Sequence, residues 1–76
     1  MTPEAIAEVF GSVLDIDDVL IDDSFFDLGG SSFSALTLVS KLKQASGRPV
    51  RLRDVVREPS PRGLADAIAA LPPAES

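Results

Sequence analysis

Over the first fourteen residues, apolar side chains recur among polar ones at the spacing of an amphipathic helix. The apolar positions recur every three or four residues and form one stripe: Ile6, Val9, Phe10, Val13 and Leu14. Thr2 is a favoured helix cap, and Pro3 suits the first helical position because an N–H would have no partner there. The pattern predicts a first helix over residues 3–14, although Gly11 weakens it by roughly 1 kcal/mol relative to alanine.

The second and fourth helices are predicted from the same kind of pattern. The second runs from about residue 32 to about residue 45, and Gly47 can then take the left-handed conformation that ends many helices. The segment SPRGLADAIAAL repeats the arrangement of the first helix, with Ser60 as the cap and Pro61 at the first position. Its inward stripe is predicted to consist of Leu64, Ala67, Ile68 and Leu71.

Two further segments complete the predicted architecture. LRDVVR, residues 52–57, is long enough for a short third helix, which must end before Pro59. Residues 15–31 show no helical period but are too apolar for a free linker, so they should pack along the bundle. Their apolar side chains are Ile16, Val19, Ile21, Phe26 and Leu28. The prediction is an all-α, four-helix bundle with a long first loop and a short third helix, comprising a domain over residues 1–71 and a tail over 72–76.

The net charge of −5 conceals a division of the chain into two parts of opposite sign. Residues 1–31 hold eight acidic side chains and no basic one, a charge of −8, whereas residues 32–76 hold four acidic and seven basic ones, a charge of +3. The acidic part is either a solvated loop or one side of a docking surface of mixed sign. Nucleic-acid binding is disfavoured, because there is no basic face interleaved with aromatic residues and the overall charge repels phosphates.

The composition also bears on where the protein works. The absence of cysteine excludes disulfide bonds and fits a reducing compartment. No apolar run is long enough to span a membrane, and the N-terminus lacks the basic and apolar pattern of a signal peptide. We therefore expect a cytoplasmic monomer without membrane association. The initial methionine and the length of a single domain favour a free-standing protein over part of a larger one.

The chain offers no pattern for catalysis or for metal binding. A serine hydrolase needs a base beside its nucleophile, but there is no histidine, and Lys41 and Lys43 lie more than two helical turns from Ser32. A calcium loop starting at Asp15 fails at three positions, where apolar residues replace a ligand or the required glycine: Val19, Leu20 and Phe26. The LGG segment lacks the spacing of a dinucleotide-binding or phosphate-binding loop.

The start of the second helix carries the most informative motif. In FFDLGGSSFSALTLV, residues 25–39, two serines follow a glycine pair and open a helix whose first turn has no acidic side chain. Unpaired N–H groups at a helix start favour an attached anion, and Gly29 and Gly30 leave room for a partner to approach the backbone. The longer segment DDSFFDLGGSSFSALTLVSKL resembles the attachment motif of peptidyl carrier proteins, the thiolation domains of nonribosomal peptide synthetases. The first helix, the long loop and REPSPRGLADAI also lie where that family has them, so the resemblance covers nearly the whole chain.

This resemblance implies an acyl-carrier-like fold and a non-catalytic protein that is itself the substrate of enzymes. A phosphopantetheinyl transferase would esterify one serine with 4′-phosphopantetheine from coenzyme A. The thiol of that arm would hold an amino or aryl acid as a thioester, loaded by an adenylation enzyme and used by downstream condensation or tailoring enzymes. A polyketide or fatty-acyl carrier is an alternative, disfavoured by FFDLGGSS and by a second helix without acids. An unmodified helical protein-interaction domain is another alternative.

The register of the motif selects Ser32 as the attachment site. The family has an apolar residue one position after its modified serine, alanine at three, and apolar residues at six and ten. Counting from Ser32 meets all four requirements, with Phe33, Ala35, Leu38 and Leu42. Counting from Ser31 gives a polar residue at every one of these offsets. Ser31 is therefore interpreted as the helix cap, although the family more often has Asp or His at that position.

Two phenylalanines and their neighbours raise separate questions about packing and docking. Phe33 and Leu36 fall away from the core face of the second helix and predict an apolar docking patch, with Arg51 and Arg53 as its charged rim. Alternatively, Phe33 folds back over the glycine pair and leaves only Leu36 accessible. In the loop, the resemblance and the packing pattern favour Phe26 over its neighbour as the core anchor between helices.

Overall fold

The computed structural model describes residues 1–73, so the last three residues of the predicted tail, 74–76, lie outside the described residues. Four helices follow one another along the chain: α1 (Pro3–Leu14), α2 (Ser32–Ser46), α3 (Leu52–Arg57) and α4 (Pro61–Ala69). Residues 1–73 contain no strand. The predicted all-α, four-helix bundle with a long first loop and a short third helix is confirmed.

Local signals in the sequence set the helix ends. The Oγ1 atom of Thr2 accepts the N–H of Ala5 at 3.1 Å, and the Oγ atom of Ser60 accepts the N–H of Gly63 at 3.1 Å. Gly47 ends α2 in the left-handed conformation, with φ +67°, and its N–H donates to the carbonyl of Lys43 at 2.9 Å. These caps satisfy backbone groups that a helix end leaves without partners, and the predicted ends of α1, α2 and α3 agree with the structure to within one residue. The inward stripe predicted for α4 includes Leu71, but the helix ends at Ala69.

One core lies where α1, α2 and α4 meet, with α3 closing it against α2 and α4. Its largest fully buried side chains come from all four helices and from the first two of the three connections: Phe10, Phe25, Ile6, Leu38, Leu42, Leu64, Ile68, Val50 and Val55. One member of the inward face predicted for α4 is wrong. Ala65 is buried, whereas the predicted Ala67 is only half-buried. Pro61 is also buried, and at about 100° per residue it shifts the centre of the face towards Ala65.

The loop between α1 and α2 contributes a ring to this core, and the ring is not the predicted one. Phe25 is fully buried, with its centroid 5.2 Å from that of Phe10 in an edge-to-face arrangement. Phe26 is half-buried and packs against the outer side of Phe25 at 5.6 Å. The prediction of Phe26 as the anchor is wrong because a turn begins here, and the N–H of Phe25 is held by the carbonyl of Pro59 at 2.8 Å.

Contacts distant in sequence hold the rest of the loop against the helices. The guanidinium of Arg62 binds the carboxylate of Asp22 at 2.7 Å and 3.2 Å, and the backbone N–H of Arg62 donates to the carbonyl of Ile21 at 2.9 Å. The start of the loop passes close to the last turn of α1, and a Cβ atom at Gly11 would lie 2.7 Å from the carbonyl oxygen of Ile16. Glycine is therefore needed at position 11 despite its lower helix propensity.

We predict that Phe25→Ala lowers the free energy of unfolding by about 3–5 kcal/mol, because it empties a fully buried aromatic site. Phe26→Ala should cost about 1–2 kcal/mol, since that ring is only half-buried. Urea denaturation of both variants measures the difference. Equal losses would show that the two rings share the anchoring role.

We predict that the Asp22–Arg62 ion pair makes a pH-dependent contribution to stability. The hydrogen bond from Arg62 holds the pKa of the Asp22 carboxyl below its ordinary value. A group whose pKa is lowered on folding stabilises the protein above its unfolded pKa, and this contribution is lost as the pH falls through the folded pKa. Asp22→Asn should therefore lower the Tm at pH 7, but not once the pH is well below about 4.

The exposed position of the pair means that salt should also reduce the effect of Asp22→Asn. Asp27→Asn removes an exposed carboxylate from the same loop and serves as the matched control. A Tm difference for Asp22→Asn that is the same at pH 7 and pH 3 would assign the effect to something other than the ionised pair.

Candidate functional site

The N-terminus of α2 is closed by a reciprocal pair of serines. Ser31 precedes the helix in an extended conformation, and its Oγ atom accepts the N–H of Ser34 at 3.3 Å. The Oγ atom of Ser34 in turn accepts the N–H of Ser31 at 2.8 Å. This arrangement is a capping box in which Ser34 takes the place usually held by Glu or Gln. The prediction that Ser31 caps the helix is confirmed.

Ser32, the first residue of α2, has no comparable structural task. Its side chain is exposed, and its hydroxyl makes no hydrogen bond to any residue in the described part of the chain. Its own N–H and that of Phe33 point out of the helix start, where no carbonyl of the helix can reach them. The first turn carries no acidic side chain. The position therefore suits a phosphodiester, because both the unpaired N–H groups and the helix dipole favour an attached anion.

The glycine pair before these serines belongs to a single turn with a defined hydrogen-bond pattern. Within residues 24–30, the N–H of Gly30 donates to the carbonyl of Phe25 at 3.0 Å and the N–H of Gly29 to that of Phe26 at 3.2 Å. These are the two bonds of a Schellman motif, and Gly29 supplies its left-handed residue with φ +102°. Gly29 borders open space, whereas Gly30 lies directly on the ring of Phe25. The room that the sequence predicts beside the backbone therefore exists at Gly29 only.

Exposed apolar side chains occur in the first turns of α2 and on α3. Phe33 is 84% exposed and Leu36 56% exposed, so the alternative in which Phe33 folds back over the glycine pair is wrong. Val56 on α3 is 60% exposed and was missed from the sequence, because a helix of six residues is too short to show which of its faces is apolar. Arg51 and Arg53 are exposed at the beginning of α3, which packs against α2.

Other kinds of site are not supported in the part of the chain that the structure describes. Within residues 1–73, no group of three or more His, Cys, Asp or Glu side chains is placed to hold a metal ion. Asp15, Asp17 and Asp18 follow α1 and line a groove beside it. Among the described helices, none combines the length and the apolar character that crossing a membrane requires.

Comparisons with known proteins bear directly on this site. The sequence profile of a family described as "Phosphopantetheine attachment site" matches residues 4–68. A protein of the linear gramicidin synthase of Brevibacillus parabrevis is 41% identical over 68 residues, which are 90% of this chain but 1% of that protein. The chain thus spans only a small part of the curated relatives that it matches.

Solved structures of carrier domains have the same fold as this chain. A structure described as a nonribosomal PCP domain superposes with a TM-score of 0.79 at 35% identity, covering 97% of this chain and 91% of that one. A chain in the structure of the phosphopantetheine transferase Sfp in complex with coenzyme A and a peptidyl carrier protein shares the fold, with a TM-score of 0.85 at 23% identity. That superposition covers 91% of this chain and 90% of the other.

The family profile accounts for most of the chain, and the 35% identical domain is matched over nearly its whole length. Proteins of this family carry covalently attached 4′-phosphopantetheine and are modified by a transferase rather than being catalysts themselves. The start of α2 provides an exposed hydroxyl beside unpaired N–H groups, an arrangement that favours an attached anion. The chain belongs to the phosphopantetheine attachment site family and is a carrier domain of the peptidyl type found in nonribosomal peptide synthetases.

Proposed function

We propose that Ser32 is the residue on which this domain carries its 4′-phosphopantetheine. The observation that carries this assignment is the contrast between two adjacent serines. The hydroxyl of Ser31 is engaged in the capping box, whereas that of Ser32 is exposed and makes no hydrogen bond within residues 1–73. A transferase can therefore reach the hydroxyl of Ser32 without breaking a contact that holds the helix start.

Attachment would transfer the phosphopantetheine group from coenzyme A to the Ser32 hydroxyl. A bond forms between Ser32 Oγ and the phosphorus that bears the pantetheine, and the bond between that phosphorus and the bridging oxygen of the coenzyme A pyrophosphate breaks. Adenosine 3′,5′-bisphosphate leaves, and the serine proton passes to a base of the transferase, because no side chain within residues 1–73 is hydrogen-bonded to the Ser32 hydroxyl. The attached group supplies a terminal thiol, on which an acyl group is held as a thioester.

We propose further that the cargo is an amino or aryl acid and that the product is a nonribosomal peptide or related compound. The relatives named above support this, as does the absence of acidic side chains along α2. An adenylation enzyme would load the thiol, and condensation or tailoring enzymes would use the thioester. A reducing, cytoplasmic location agrees with the absence of cysteine. Fatty-acyl or polyketide carriage is the less supported alternative.

The partner enzymes would share one docking patch, which we define as Phe33, Leu36 and Val56 with Arg51 and Arg53 at its rim. Its apolar members are all more than half exposed, although apolar side chains of this size are usually covered in a domain with a complete core. Phe33 and Leu36 lie one turn apart on the helix that begins with Ser32. A partner that covers them is thereby brought close to the attachment site.

Incubation with coenzyme A and a broad-specificity phosphopantetheinyl transferase is expected to increase the intact mass by one phosphopantetheine. Ser32→Ala should abolish the increase, because it removes the accepting oxygen. Ser31→Ala is the matched control: it should lower stability by about 1 kcal/mol through loss of the cap but still accept the group.

Three other outcomes of this mass measurement would contradict the assignment. A mass increase that survives in Ser32→Ala but disappears in Ser31→Ala would move the attachment to Ser31. Two additions on the parent chain would mean that both serines are accepted. No addition to folded protein, with a transferase proven active on another carrier, would remove the carrier function altogether.

We predict that Leu36→Ala raises the KM of the transferase for this carrier about fivefold and leaves kcat unchanged. The loss corresponds to about 1 kcal/mol of apolar contact. Alanine is a good helix former, so α2 should keep its helicity by circular dichroism. Leu20→Ala is the matched control, because Leu20 is 66% exposed but lies in the loop outside the docking patch. An unchanged KM for Leu36→Ala would exclude Leu36 from transferase docking.

A further inference from the structure

We infer that Phe25 is a positioning residue for the attachment reaction: through its contact with Gly30, it sets where α2 begins and therefore where the Ser32 hydroxyl lies. This inference rests on the proposed role of Ser32 and deepens it. It concerns residues on the buried side of the loop, whereas the docking patch lies on the outer side of α2 and α3.

Phe25 is held from three directions and can act as a fixed reference point. Its ring is fully buried and packs edge-to-face on Phe10 of α1. Its N–H donates to the carbonyl of Pro59, in the connection between α3 and α4, at 2.8 Å. Its carbonyl accepts the N–H of Gly30 at 3.0 Å, which closes the Schellman turn. Movement of this residue would disturb all of these contacts together.

Gly30 transmits that position to the chain before α2. A Cβ atom at Gly30 would fall on the Cδ2 and Cε2 atoms of the Phe25 ring and lie 2.6 Å from the carbonyl oxygen of Phe25. The backbone at Gly30 therefore packs so closely against the ring of Phe25 that only glycine, which has no Cβ atom, fits at this position. The φ angle of Gly30 is not in the left-handed region, so close packing rather than backbone strain explains the glycine here.

Only Ser31 separates Gly30 from Ser32, and Ser31 has little freedom of its own. The capping box ties Ser31 to Ser34 on both its N–H and its hydroxyl. A continuous series of contacts therefore runs from the core, through Phe25 and Gly30, to the first residue of α2. A shift of the chain at Gly30 must move the start of the helix or break the capping box.

Displacement of Ser32 should affect the chemical step more than docking. Reaction between two bound groups depends on near-attack geometry, and an error of about 1 Å can cost about 10²-fold in rate. Leu36 is exposed and lies one turn further along α2, so it remains available to a partner even if the first residues of the helix shift. A defect in positioning should therefore lower kcat and leave KM near its parental value, the opposite of the result expected for Leu36→Ala.

The decisive variant is Gly30→Ala, assayed with coenzyme A and a broad-specificity phosphopantetheinyl transferase at a temperature where the variant is fully folded. We expect kcat to fall at least tenfold, with KM within twofold of the parent. In ¹H–¹⁵N spectra of the unmodified domain, the amide signals of Ser32 and Phe33 should shift, while those of α4 stay in place. This second readout reports the helix start without any reaction.

Gly47→Ala is the matched control. It makes the same chemical change at the other end of α2, where φ is +67° and nothing beyond the two adjacent residues lies within 4 Å of the added Cβ. It should lower the Tm through backbone strain and leave kcat, KM and the Ser32 amide signal as in the parent. A kcat loss in Gly47→Ala equal to that in Gly30→Ala would reduce the effect to general destabilisation and overturn the inference.

If Gly30→Ala does not fold, Phe25→Leu takes its place, because leucine keeps the site apolar but removes the ring surface under Gly30. A folded Phe25→Leu with parental kcat and an unmoved Ser32 amide signal would overturn the inference, as would parental kcat in folded Gly30→Ala. Ser32→Ala separates this result from the proposed function. If modification survives in Ser32→Ala, the site assignment fails; if it is lost there but unimpaired in Gly30→Ala, only the positioning role fails.

Discussion

The burial of the Phe25 ring by an otherwise irregular loop is the interaction on which the functional end of this domain depends. A domain of this size has one small core, so a fully buried aromatic ring is a large part of its stability. The same residue accepts the hydrogen bond that closes the turn before α2 and donates one to the connection between α3 and α4. Stability of the fold and placement of the helix start are therefore not separate properties here.

Two neighbouring serines do different work because of where each one lies relative to α2. A residue in the cap position has an extended backbone, and its side chain can turn back to the N–H three residues later, as that of Ser31 does. A residue at the first helical position cannot make that bond, so the hydroxyl of Ser32 points into solvent beside unpaired N–H groups. The chain thus exposes one serine hydroxyl at the start of α2 while the other caps the helix.

A carrier must be recognised by several enzymes, and its surface reflects this more than its interior does. Phe33 and Leu36 of the docking patch are exposed in the first turns of the helix that begins at Ser32, and the net positive part of the chain begins at the same helix. The long loop carries half of the acidic side chains, one of which pairs with Arg62 at the start of α4. Because the acidic and basic side chains are separated along the chain, the electrostatic field of a charged partner enzyme can orient the domain as it approaches.

The sequence by itself determined the four helices, the N-terminal caps Thr2, Ser31 and Ser60, and the core face of α2, because each of these depends on residues within about one or two turns of one another. Only the tertiary structure decided that Phe25 rather than Phe26 is buried, that Ala65 rather than Ala67 faces inward, and why positions 11 and 30 need glycine. In a segment without a repeating backbone, the direction of a side chain follows from contacts made far along the chain. The N–H of Phe25 donates to the carbonyl of Pro59, and Asp22 pairs with Arg62 forty residues further along the chain. Local sequence patterns cannot predict contacts at such separations.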